Sequence, residues 1–187
     1  MENETQGQRI PHPPARRCWA LKTTAGTGGE SFWREFRQEG VVAVGWRCLR
    51  VDPSTVTDDE LREAIRRDCP DEKKPDRVAQ KIRNFVDLNV DDLVLVCSGY
   101  SWNSGDVYIY GVARITGPFF YDRSSAWPWK SKHRAVIHVI EKHMRRSTIA
   151  RALNRDSLME TIHELEPDRF TALVNALHQN LGVAVTM

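Results

Sequence analysis

The chain has 187 residues, 41% of them hydrophobic, which suffices for one well-buried core and leaves a second full domain cramped. A formal net charge of +2 excludes a uniformly basic chain, so contact with nucleic acid would depend on cations gathered on one face. No apolar run approaches the ~18 to 20 residues that cross a bilayer; the longest, "DLVLVC", is strand-sized, and the expectation is a soluble protein with no membrane contact.

In chain order, Met1 to Arg16 is polar and rich in proline, and reads as a flexible arm (residues 1–16). "CWALKT" (Cys18 to Thr23) predicts a first strand, and the Gly-rich "AGTGGE" a loop. Ser31 can cap a short helix carrying Phe32, Trp33 and Phe36, which ends at Gly40; "VVAVGW" then predicts a buried strand with Trp46 at its end. Thr57 and Glu60 form a capping box ahead of a helix with Leu61, Ala64 and Ile65 on one side. Pro75 suits the first turn of a second helix, in which Val78, Ile82 and Phe85 recur at helical spacing.

"DLVLVCS", the turn residues of "GYSWNSGD", and "VYIYGVARI" together predict a hairpin, and "RAVIHVI" a further strand. From Ser147 onward the pattern is helical, best seen in Phe170, Leu173, Val174 and Leu177. Strands that do not alternate regularly with helices predict an α+β fold, a mixed β-barrel or sheet flanked by helices. The expected domains are an arm at 1–16, a core at 17–146 and a C-terminal helical extension at 147–187.

The familiar catalytic patterns are missing. "AGTGGES" lacks the Lys of a P-loop, and "PDEKKPD" is a charged loop between prolines rather than a rigid strand of metal-binding carboxylates. His133, His138 and His143 recur every fifth residue, which suits neither a helix face nor a strand face, so no metal is expected. Cys18, Cys48, Cys69 and Cys97 show no metal-site spacing and no secretory signal precedes them; they read as reduced thiols of a cytoplasmic protein. No cofactor is implied, and the expectation is a protein that is not an enzyme.

The aromatic residues carry more information. Trp46, Trp102, Trp127 and Trp129 fall at predicted strand ends or in loops, whereas Trp19 and Trp33 read as core. Trp127 and Trp129 flank Pro128 with the same parity, so one can cover the core while the other lines a cleft. Lys130, Lys132, Arg134, Lys142, Arg145 and Arg146 follow them against the single acid Glu141, and Arg47 follows Trp46. Cations beside exposed aromatic rings are the composition for phosphate contacts plus base stacking.

The succession "CWALKT", "VVAVGW", "KIRNFVDLNVDDLVLVCS", "VYIYGVARITGPFFYD" and "WPWKSKHRAVIHV" resembles the EVE-like branch of the PUA superfamily, which also includes the YTH readers of methylated adenine. The likeness spans roughly Arg17 to Lys142. Asp91 stands where the family has Gly, a change expected to be tolerated if the turn needs no positive φ; His138 stands where the final strand has Trp. The ASCH pattern GxKxxExR of supposed enzymatic relatives is not found.

The resemblance implies a PUA-like core whose pocket accepts a flipped, often methylated base between aromatic walls. Trp46 would be one wall and Trp127 or Trp129 the other, with Trp102 nearby and Ser98, Tyr100 and Asn103 reading the polar edge of the base. Lys22, Arg47, Lys130, Lys132 and Arg134 would hold the phosphates. The implied role is the recognition module of a modification-dependent restriction system, bound to double-stranded DNA carrying a modified base and paired with a separate NTPase or nuclease. RNA binding by the same barrel, or small-molecule binding or catalysis in the same concavity, are the alternatives.

Overall fold

The computed structural model describes residues 16–23, 31–46, 48–99, 105–125, 129–154 and 160–179. Six strands and five helices follow in the order β1 (Cys18–Lys22), α1 (Trp33–Glu39), β2 (Val41–Val44), α2 (Asp58–Asp68), α3 (Pro75–Val86), β3 (Leu93–Cys97), β4 (Asp106–Tyr121), β5 (Ser131–Arg145), α4 (Arg146–Leu153), β6 (Ile162–Leu165) and α5 (Pro167–Gln179). The strands form one curled sheet, a half-barrel, in the order β2-β5-β4-β3-β1-β6. Only β1 and β3 pair in parallel; the other neighbours are antiparallel. This is the α+β class that the irregular order of strands and helices predicts.

Local chemistry sets most of the boundaries. Thr57 accepts from the Glu60 N–H while the Glu60 carboxylate accepts from the Thr57 N–H, and this reciprocal cap starts α2. Pro75 occupies the first turn of α3, where no backbone donor is needed. Gly40 closes α1 at φ 62°, a left-handed conformation cheap only for glycine, so that β2 begins at once. Ser31 lies one residue ahead of the helix cap Phe32, and its hydroxyl accepts from the Trp33 N–H at 3.3 Å.

Alternation along the sheet feeds two apolar layers. On one face Ala20, Leu95, Ile109 and Met144 pack under α4 and α5, meeting Ile149, Leu153, Phe170, Leu173 and Leu177. On the other Trp19, Leu21, Val94, Val96 and Ile115 meet Trp33 and Phe36 of α1 and Phe85 of α3. A third cluster joins α2 to α3 through Leu61, Ile65, Val78 and Ile82, and Trp46 packs against its border.

The structure differs from the sequence reading in four places. The segment after Ser147, read as helical, contributes β6, which pairs antiparallel with β1 and completes the sheet. β5 begins at Ser131 rather than Arg134, so Lys132 and His133 lie on a strand and not in a loop. Asp91 does adopt positive φ, 73°, contrary to the condition under which its replacement of Gly is free. An Asp tolerates that region at roughly 1 kcal/mol, and its N–H is repaid by the carbonyl of Ile115 at 2.9 Å.

The fourth difference concerns the cysteines. Cys48 and Cys69 are joined in a disulfide with Cα atoms 5.3 Å apart, while Cys18 and Cys97 are free and buried. A separation of 21 residues matches no motif, and the pairing follows only from the end of α2 packing on the segment after β2. Among the described residues no helix is long and apolar enough to cross a membrane.

Candidate functional site

Beyond the last β2–β5 rung, Val44 opposite Ser131, the two strands part, and each reaches a tryptophan two residues further on. Trp46 follows β2 and Trp129 precedes β5, so two indoles fall at the same end of neighbouring strands and join one apolar cluster. Trp129 is 5% exposed and meets the ring of Phe32 edge-on at 5.0 Å. Trp46 is only partly buried, held between the sheet layer and the α2–α3 layer. The Cys48–Cys69 bridge pins the chain two residues beyond it. Trp129 is therefore the core member of its pair, and Trp46 offers surface. The buried indole N–H of Trp129 has no hydrogen-bond partner among the described residues.

The expected phosphate ligands fall into different environments. Lys130, next to Trp129, is partly exposed; Arg134 is exposed but pairs with Val41 at the other end of β2, with its guanidinium 5.6 Å from the centroid of Phe120. Lys132 is 2% exposed, and its ammonium donates to Asp122 at 2.9 Å and Glu39 at 3.1 Å. Burial works against the charged form, but these two charge-assisted bonds outweigh it and raise the pKa above the ordinary lysine range. That ammonium is committed to carboxylates of the protein itself and stays out of reach of a phosphate.

Ser98 and Lys22 stand elsewhere in the register. They follow or end β3 and β1, whose exits lie beside the start of β4, whereas Ser131 pairs with Tyr121 at its far end. The Ser98 hydroxyl accepts from the Tyr108 N–H at 3.1 Å. The two groups approach across the start of α1. The hydroxyls of Ser31 and Thr23, at the exit of β1, are 3.2 Å apart, and the next residue, Phe32, touches Trp129. Burial lowers the pKa of Lys81 of α3, with the Arg77 charge and, last, the Lys22 charge adding to it. The remaining candidates Arg47, Tyr100, Trp102, Asn103 and Trp127 lie outside the described residues.

Two buried ionisable groups support the walls. Asp92, 1% exposed, accepts from the Arg17 N–H at 3.0 Å, the Trp19 indole at 3.1 Å and the Asn89 N–H at 3.0 Å, and pairs with the Arg17 guanidinium at 3.2 Å. A carboxylate so fully paired fixes the turn into β3 rather than acting on a ligand. His133 is wholly buried between the rings of Phe85 and Phe119, with Nε2 2.8 Å from the Phe85 carbonyl and Nδ1 3.3 Å from that of Gly117. Burial lowers its pKa. Burial likewise pushes the Cys18 and Cys97 thiols up to about 11, leaving them protonated and unreactive at neutral pH. Among the described residues no group of three His, Cys, Asp or Glu is placed to hold a metal ion.

A feature not singled out from the sequence lies on the β4–β5 ribbon. Trp33, Tyr110, Tyr108 and His143 form a run of ring contacts at 5.5, 4.8 and 4.6 Å. The signal was present in "VYIYG", where tyrosines at i and i+2 of a strand share a face.

A family model described as "Domain of unknown function (DUF8426)" matches residues 19–166. A comparison with curated proteins returns no match. Among solved structures, the chain is similar to the YTH domain of Zygosaccharomyces rouxii MRB1 protein in complex with N6-methyladenosine RNA, at 11% identity and TM-score 0.47, covering 90% of each chain. A hypothetical protein from Leishmania major is 12% identical, with TM-score 0.48 and coverage of 89% of this chain and 97% of that one. The Mmi1 YTH domain is 9% identical, with TM-score 0.49, covering 90% and 92%.

Proposed function

The chain belongs to the family described as domain of unknown function DUF8426, and from its own geometry we propose that it acts by binding: a nucleic-acid reader that takes a modified base against Trp46. The observation that carries this reading is the aromatic corner beyond the Val44–Ser131 rung, where a partly exposed Trp46 shares one apolar cluster with buried Trp129 and partly buried Phe32, and Lys130 adjoins Trp129 in the chain. Packing on two sides and a disulfide two residues away hold Trp46 in place, so little order is lost when a planar ligand stacks on it.

The magnitudes are compatible with such a reader. Extruding a base costs a few kcal/mol, and stacking on an aromatic ring returns about 1 to 3 kcal/mol per base. Cations supply the remainder through phosphate contacts. Burying a methyl group adds only about 0.8 kcal/mol, so discrimination also needs polar groups left unpaired by the wrong base. In the finer form of the proposal the core is EVE-like, the carrier is DNA, and a separate NTPase or nuclease acts on what the chain has marked.

The test is equilibrium binding to DNA and RNA oligonucleotides of one sequence carrying no modification, 5-methylcytosine, 5-hydroxymethylcytosine or 6-methyladenine, at two salt concentrations. The expected result is a salt-sensitive preference of tenfold or so for one modified DNA. Equal, weak binding to every member would overturn the reading; preference for a modified RNA would keep the reader and remove the restriction role.

A further inference from the structure

The ring run on the β4–β5 ribbon is built from a specific backbone arrangement. The register of β4 against β5 shifts between Ile109 and Gly111, and Tyr110 stands at the shift. Glu141, on the opposite strand, takes φ 49°. Its carboxylate Oε1 accepts from the Trp33 indole at 2.8 Å and the Arg37 guanidinium at 2.7 Å, which ties α1 to the ribbon. A Cβ on Gly111 would stand 2.8 Å from the Trp33 ring and 2.4 Å from the His138 carbonyl oxygen, so glycine lets the indole lie down on the strand. The result is a platform with Trp33 as its buried floor, Tyr110 and Tyr108 partly exposed, and His143 exposed.

Two adjoining concavities border this platform. One, of about 550 Å³, runs between α1 and the ribbon, with Ser31 at its edge and Trp33, Tyr110 and Glu141 in its wall. The other, of about 410 Å³, is lined among the described residues by Arg34, Arg37 and Gln38. Both share Arg34 and Arg37. Arg34 forms no ion pair among the described residues, and the one acid facing Arg37 is the Glu141 carboxylate it already neutralises. Glu35 and Glu141, in the first concavity, keep that space near neutral, whereas the described lining of the second carries only cations and Gln38. Rings on one side and the guanidinium groups of Arg34 and the Glu141-paired Arg37 on the other suit a single strand, whose bases stack while its phosphates follow the charge of Arg34. A duplex, with its bases stacked inside, could not use the rings.

The platform approaches the Trp46 corner through Ser31, which lines the groove and precedes Phe32, the ring that meets Trp129. Tyr108 exchanges backbone and side-chain bonds with Ser98, and Ser31 links the groove to Thr23 at the exit of β1. We infer that unpaired nucleotides flanking the read base run from the Trp46 corner past Ser31 onto Tyr110, Tyr108 and His143, with their phosphates along Arg34. This inference rests on the reader proposed above and names the state of its ligand, a single-stranded segment.

The test uses the full chain with fluorescein-labelled single-stranded DNA 4-mers and 12-mers, each with and without one central modified base, and a 12-base-pair duplex. The variants are Tyr108→Leu, which keeps the apolar body and loses the flat ring, and Arg34→Gln, on the exposed side of α1. The expected results are tighter binding of the 12-mer than of the 4-mer, an affinity loss of about 5- to 150-fold for Tyr108→Leu on the 12-mer alone, and a log-log salt slope reduced by about 0.7 for Arg34→Gln. Modified-base preference on the 4-mer should survive both changes. If that preference is present while 12-mer affinity ignores Tyr108→Leu, the stacking platform is overturned and the reader stands. If the length gain depends on Tyr108 and no base is preferred, the platform stands and the reader falls. A duplex bound more tightly than the single strand would overturn the platform as well.

Discussion

Lys132 and Arg134 sit two positions apart on one strand and illustrate how little a cation's place in the sequence says about its role. Lys132 is sealed between Asp122 and Glu39, and removing it leaves a partly buried Asp122 and an exposed Glu39 without their shared cation. Lys132→Ala should lower stability by about 1 to 3 kcal/mol in denaturant unfolding and leave the salt dependence of oligonucleotide binding unchanged. Arg134→Ala should do the reverse, holding stability within about 0.5 kcal/mol and reducing the salt slope by nearly one. His133 makes a second residue-scale claim. Its folded-state pKa is depressed by burial, so between that value and its unfolded value near 6.5 the unfolded chain binds the extra proton. Stability should therefore be full above about pH 7 and fall as the pH drops through that window, by up to about 1.4 kcal/mol per pH unit. Thermal melts from pH 8 to pH 5 measure this, and His133→Gln should flatten the slope whatever its absolute melting temperature.

At the scale of elements, the disulfide matters most because of where it lies. It fastens the chain just beyond Trp46 to the end of α2, and the α2–α3 layer forms one of the two surfaces that hold the indole. Closing a loop of this size stabilises by about 3 kcal/mol in the chain-entropy account. Reduction, or Cys69→Ser, should lower the unfolding free energy by up to that amount and weaken ligand binding more than it weakens the neighbouring β-sheet. Hydrogen exchange can read this as faster exchange confined to α2 and the segment from Cys48 to Val56. No change on reduction would mean that packing of Leu61, Ile65 and Ile82 alone fixes this layer.

For the whole molecule, the fold was legible where local chemistry is self-sufficient. The Thr57–Glu60 cap, Pro75, Gly40 and the alternating apolar strands each act within a few residues, so the sequence discloses them. What depends on distant partners was not legible. "TIHEL" becomes a strand only because β1 offers an unpaired edge, and Cys48 meets Cys69 only because two layers pack. The candidate site divides in the same way. Trp46 at a strand end was readable from "VVAVGW", whereas the burial of Trp129 and Lys132 follows from β5 starting three residues earlier than its pattern suggested. Ser98 was expected beside Trp46, and the register instead sets it next to Tyr108.

The central claim is that the flat ring of Trp46 selects a modified base. The most direct measurement is the ratio of dissociation constants for unmodified and modified oligonucleotides, compared between wild type and Trp46→Leu, a change that keeps apolar contact with both layers and removes the ring. The account predicts a ratio of about ten or more in wild type that collapses towards one in the variant, with the melting temperature recorded alongside. A ratio unchanged in a folded Trp46→Leu protein would contradict it.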